Sequence, residues 1–100
     1  NKDRNVFIPN AFSPNSDGVN DDFGIFTGVG IERIKSFRVF SRAGDLMHER
    51  VNVLPNDPLN HWDGKFHGQS LNPGVFVYVA EIEFVDGITE TFKGEVILVK

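Results

Sequence analysis

The sequence contains no cysteine. That absence excludes a disulfide framework and any thiolate metal site, so the fold needs no oxidising compartment and would survive one. Basic charge is sparse and scattered: ten Lys and Arg stand against fourteen Asp and Glu, a net charge of −4. Nucleic-acid binding requires a basic stripe, and none is present. No apolar run approaches the ~18 residues that a membrane helix needs, so no membrane insertion is expected. The opening NKDRN leads into no apolar stretch of the signal-peptide kind. It reads as a cut from a longer chain, with residues 1–5 as a linker. Asn-x-Ser/Thr sequons, internal repeats and low-complexity tracts are missing as well.

What remains suits one domain over residues 1–100, in which 40% of residues are hydrophobic and ten are Phe. Strand signals dominate. NVFIPNAF (5–12) opens with a β-rich run that Pro9 interrupts, which makes it an edge or irregular strand. FGIFTG (23–28) reads as a short strand. In GIERIKSFRVFSR (30–42), Ile31, Ile34 and Phe37 fall at helical spacing, but Phe37, Val39 and Ser41 alternate with Arg38 and Phe40. We read a turn at 30–33 and a strand at 34–42. Ala43-Gly44 turns the chain into a hairpin partner at 45–51. Residues 52–73 are loop-like, rich in Asn and Pro, and too long to lack packing of their own. Leu59, Trp62 and Phe66 could supply it.

The last third, GVFVYVAEIEFVDGITETFKGEVILVK, is a hairpin whose register can be argued. A two-residue loop would set Glu83 against Glu90 and split the apolar face. A three-residue loop, Val85-Asp86-Gly87, pairs Phe84 with Ile88, Ala80 with Phe92, Tyr78 with Gly94 and Phe76 with Val96. It also places Gly at the left-handed position such a loop needs. The sum is an all-β fold: an Ig-like antiparallel β-sandwich of about seven short strands. The expected core is Phe7, Phe12, Phe37, Val39, Leu46, Trp62, Phe76, Tyr78, Ile82, Phe84, Phe92, Val96 and Leu98.

The stretch SPNSDGVNDDF (13–23) crowds oxygen-bearing side chains around Gly18. Calcium takes six to eight oxygen ligands, and alternate residues of a tight loop can supply them. Asn15, Asp17, the Val19 carbonyl, Asp21 and Asp22 form the candidate metal set for Ca2+, with Asp63 as a distant carboxylate. The match to an EF-hand loop is partial, because Ser13 and Gly24 stand where its first and last acidic ligands would be. The bland alternative is an Asx-rich turn bonded to local amides, and both stay open.

Trp62, within HWDGKFHG (61–68), could be a sugar-stacking platform, but a lone Trp in a domain of this size is expected to be buried. His48, His61 and His67 have no zinc spacing. No Ser lies in a nucleophile elbow. Glu81 and Glu83 alternate as on a solvated strand face. Nothing argues for an enzyme.

Four segments in order, IPNAFSPNSDGVNDDF, IKSFRVFSRAGDLMHE, WDGKFHGQSLNPGVFVYVAEIEF and FKGEVILVK, resemble the gliding motility-associated C-terminal domain of Bacteroidota. This is the type B sorting domain of the type IX secretion system, the CHU_C-like family. The combination of P-N-x-F-x-P-N-x-D-G-x-N-D with W-D-G and P-G-V-[FY]-x-Y carries the resemblance over residues 6–100. The family often has Gly where Ser16 stands, and Ser serves there unless the position needs a positive φ.

The resemblance implies a non-enzymatic secretion signal. It would direct upstream cargo domains in the same chain through the periplasm to the cell surface or medium. Its partners would be the type IX outer-membrane translocon and a PorP/SprF-type outer-membrane protein. The alternative from the residues alone is an extracellular, calcium-stabilised module that binds a glycan or a protein through the 56–73 loop.

Overall fold

The computed structural model describes residues 6–13, 22–57 and 60–99. Among them the chain forms nine strands, four of them long or central and the rest two-residue pairings: β1 Val6–Phe7, β2 Ala11–Phe12, β3 Phe26–Thr27, β4 Ile31–Phe40, β5 Leu46–Val53, β6 Lys65–Phe66, β7 Gln69–Ser70, β8 Gly74–Phe84 and β9 Thr89–Leu98. No described helix is long and apolar enough to cross a membrane.

A five-stranded sheet in the order β2-β9-β8-β4-β5 is the main layer. Its inner face is covered by the β1–β3 pair, the segment through Phe23 and Ile25, and the stretch around Trp62. The arrangement is therefore sandwich-like and all-β. It is mixed rather than wholly antiparallel, because β2 runs parallel to β9, with Ala11 beside Ile97 and Phe12 beside Leu98. Pro9 has no amide hydrogen for a ladder, and the first β run breaks there into β1 and β2, which serve different sheets.

The closing hairpin has the three-residue register. Phe76 pairs with Val96, Tyr78 with Gly94, Ala80 with Phe92 and Glu83 with Thr89. Gly87 holds φ 87°, and the Phe84 amide donates to the Ile88 carbonyl at 2.8 Å. Gly94 has a second reason to lack a side chain: a Cβ there would stand 2.9 Å from the Tyr78 hydroxyl, which lies across it.

Strand β4 starts at Ile31 rather than 34, and the helix-like spacing in it has a β explanation. Its register with β8 shifts between Ile31 and Arg33 and again between Ile34 and Ser36. Each shift adds an unpaired residue, Glu32 and then Lys35, as β-bulges do. A strand with a bulge in every third position faces inward at 31, 34 and 37, which mimics a helical period.

Two expected core residues are exposed. Phe7 is 63% exposed and Leu46 is 41% exposed. A third bulge explains Leu46: Val39 pairs with His48 but Phe40 pairs with Leu46, leaving Met47 as the extra residue. Without it Leu46 would share the inward face of His48. Tyr78 and Phe92 are half-buried against the core rather than inside it, while Phe23, Ile25, Ile34 and Ala80 complete it.

Within 52–73 the chain makes one more hairpin, β6–β7. Phe66 pairs with Gln69 around His67 and Gly68, both at positive φ (54° and 81°). Two positive φ values in a two-residue loop mark a type I′ turn.

Candidate functional site

The W-D-G element is an anchor. Trp62 is 2% exposed. Its amide and carbonyl exchange two 2.8 Å hydrogen bonds with Phe23. The indole Nε1–H donates to the Lys65 carbonyl at 3.0 Å, so the polar end of the buried ring is satisfied. Its ring lies 5.4 Å from Phe12 and 5.1 Å from Phe76, and Phe23 continues the stack to Phe37 and Tyr78. The aromatic residues of the three sequence motifs thus meet in one cluster. Asp63 accepts from the Lys65 amide at 3.0 Å, and Gly64 takes φ 80° to complete the turn. A sugar platform needs an exposed ring face, and Trp62 offers none.

Of the candidate calcium ligands, Asn15, Asp17, Val19 and Asp21 lie outside the described residues. Asp22 is described: its Oδ1 stands 3.2 Å from His61 Nδ1. Among the described residues no three His, Asp or Glu side chains converge as a metal site would require.

His61 belongs to a packed layer that the sequence does not signal. Its ring meets Phe26 edge-on at 5.3 Å and lies over the backbone of Gly24. A Cβ at Gly24 would come 2.0 Å from His61 Cδ2, so the layer exists only because residue 24 has no side chain. Nearby, the Asn56 side chain clamps Thr27 from both sides. It accepts from the Thr27 amide and donates to the Thr27 carbonyl, each at 3.0 Å. Asn56 holds φ 63° to do so.

His48 has a displaced affinity for protons. Burial holds its pKa below the ordinary value of 6.5, against the opposing effect of its bond to the Asn60 backbone. Nε2–H donates to the Asn60 carbonyl at 2.9 Å, and the Asn60 side chain donates to the Leu54 carbonyl at 2.9 Å. The pair ties Asn60 to β5 and to the Leu54 backbone. Burial also raises the Tyr78 phenol above its ordinary value of 10.0, so it stays protonated.

Two surfaces stand open among the described residues. One is a groove of about 620 Å³ beside the break between β1 and β2, lined by Phe7, Ile8, Pro9, Asn10, Ala11 and Phe26. The other is the outer face of the five-stranded sheet. There Arg33 meets Glu83 at 2.8 Å and Arg38 meets Glu49 at 2.7 Å. Such exposed pairs contribute ~0–1 kcal/mol each and chiefly keep the face polar.

The family model of the CHU_C type IX secretion signal domain covers residues 6–98. No curated protein matches the chain.

Proposed function

The chain belongs to the CHU_C family of type IX secretion signal domains, and on that premise we propose that it works as a folded surface read by other proteins, without catalysis. As a type IX secretion signal it marks its protein for export out of the cell and engages the type IX secretion machinery. The finer reading is that cargo domains upstream in the same chain reach the periplasm first. There the domain is handed to the outer-membrane translocon with the help of a PorP/SprF-type protein, for release to the cell surface or medium.

The observation that carries this reading is the family match over nearly the whole described chain. The packing supports it. Phe12, Trp62 and Phe76, which stand in the family-like motifs, are spent on the core. Recognition therefore falls to surfaces around that core. The glycan-binding alternative loses its main residue with Trp62 buried.

The test is a reporter carrying an inner-membrane export signal and this chain at its C-terminus, expressed in a type IX-competent host. Export to the surface or medium is expected, with loss when the PorP/SprF-type protein is deleted. A reporter that stays periplasmic with that protein present refutes the sorting role.

A calcium ion held by Asn15, Asp17, the Val19 carbonyl, Asp21 and Asp22 is part of the same proposal, and the spacing of these oxygens supports it. Melting with calcium and with chelator tests it. A bound ion adds roughly 2.7 kcal/mol when free calcium is 100 times the dissociation constant. An unchanged melt at millimolar calcium leaves an Asx turn.

A further inference from the structure

Strand β8 carries two sequence patterns. Its second half, AEIEF, alternates: Ala80, Ile82 and Phe84 are in the core, and Glu81 and Glu83 point away from it. Its first half, GVFVYV, is apolar on both faces. Phe76 and Tyr78 pack inward, while Val75, Val77 and Val79 point outward and belong neither to the core nor to the side chains packed against it. A strand with water on one face alternates, and a strand covered on both faces reads as a continuous apolar run.

The register spreads this pattern across the sheet. Val77 lies beside Phe40 of β4, Phe40 beside Leu46 of β5, and Val75 beside Ile97 of β9. Leu46 is 41% exposed and Ile97 45% exposed. Single exposed apolar residues are ordinary. Here five are contiguous over four strands, Leu46 and Ile97 exposed and Phe40, Val75 and Val77 half-buried, at the end of the face away from the Arg33–Glu83 pair. Such a patch is a liability in an isolated domain and a signature of an interface. Glu95, in register with Val77, and Lys93, in register with Val79, put exposed charges of both signs at its margin.

We propose that this apolar half-face is the surface the type IX machinery reads, through a partner protein that presents an apolar patch bordered by a basic group opposite Glu95 and an acidic group opposite Lys93. The inference rests on the sorting role proposed above. The family match makes a second protein the reader of this domain, which favours a machinery component over a second copy of the chain.

The export reporter tests it with Ile97→Lys, Leu46→Lys and their combination, against Thr91→Lys and Thr89→Lys on the polar half of the same face. All are exposed positions, and protease resistance in the periplasm reports that each variant folds. The milder Ile97→Ser and Leu46→Ser replace any Lys variant that does not. Wild type and both Thr variants should be exported equally, and the combined apolar-face variant should fall at least tenfold while remaining folded. Glu95→Lys should also fall. Export of the folded combined variant at the wild-type level, with the unaltered fusion exported, overturns the surface assignment alone. Failure of the unaltered fusion overturns the sorting role and this inference with it. Sedimentation of the purified chain provides a third arm. A dimer that Ile97→Lys splits gives the face to a second copy and overturns the proposal.

Discussion

Replacing Gly24 with Ala should destabilise the domain through His61 alone. Gly24 has an ordinary backbone, since it is not among the positive-φ glycines. Alanine can therefore adopt its conformation, and the shorter list of unfolded states would by itself favour folding by about 0.4–1 kcal/mol. Against this, the new methyl would lie 2.0 Å from His61 Cδ2, 2.4 Å from Nε2 and 2.5 Å from Cγ. Three ring atoms at such distances cannot be relieved by bending a flexible chain end. The imidazole must swing out, giving up its contacts with Asp22 and Phe26. Overpacking of this kind costs about 1–3 kcal/mol, so we expect a net loss of about 1–2 kcal/mol. For a domain of this size that lowers Tm by roughly 5–15 °C. Thermal melts of Gly24→Ala, His61→Ala and the double variant decide the matter. Because the methyl fills space that the ring vacates, the double variant should be more stable than Gly24→Ala alone. A Gly24→Ala protein melting with wild type, or a double variant no better than the single one, would refute the reasoning.

Trp62→Ala removes the largest buried side chain and should cost about 3–5 kcal/mol, leaving the domain largely unfolded by circular dichroism. In the wild type the Trp62 emission should be blue-shifted and unmoved by glycans. His48 makes stability pH-dependent. Its folded pKa lies below the 6.5 of the free ring, so the unfolded chain takes up the proton first. Its contribution is present above pH 6.5 and lost as pH falls through that value and on towards the folded pKa. Urea midpoints at pH 7.5 and pH 5 should converge in His48→Gln, which keeps a donor for the Asn60 carbonyl but does not titrate. Asn56→Gly keeps the positive φ and removes both clamp bonds to Thr27. At ~0.5–1.5 kcal/mol per bond, the loss should be about 1–3 kcal/mol by urea titration, with amide exchange at Thr27 speeding up.

Where local pattern and geometry share a period, the sequence is legible. The β8–β9 register follows from keeping Glu83 off Glu90 and Gly at the turn, and those two demands suffice. Trp62 is legible because its size leaves few alternatives to burial. The failures come from bulges. Nothing local marks Met47 as an extra residue, yet it turns Leu46 from the core to the outer face. The bulges at Glu32 and Lys35 disguise a strand as a helix turn. Phe23 and Ile25 alternate as a buried pair would, and that signal could have placed them in the core. The Asn56–Thr27 clamp and the Gly24–His61 contact join residues 29 and 37 positions apart, and no local pattern encodes them. Four of the five candidate calcium ligands lie outside the described residues, and what the sequence says of them stands alone.

The parallel pairing of β2 with β9 has a consequence for truncation. The Ile97 amide donates to the Asn10 carbonyl and the Val99 amide to the Phe12 carbonyl, each at 2.9 Å. The first residues of the five-stranded sheet are thus held by its last strand in chain order. Phe12, which anchors the aromatic cluster, sits on a strand with no other neighbour in that sheet among the described residues. A chain that ends before residue 97 leaves this strand unpaired and Leu98 missing from the core. The domain consequently closes only when both of its ends are present: a chain truncated within β9 carries the early part of the fold but cannot close it.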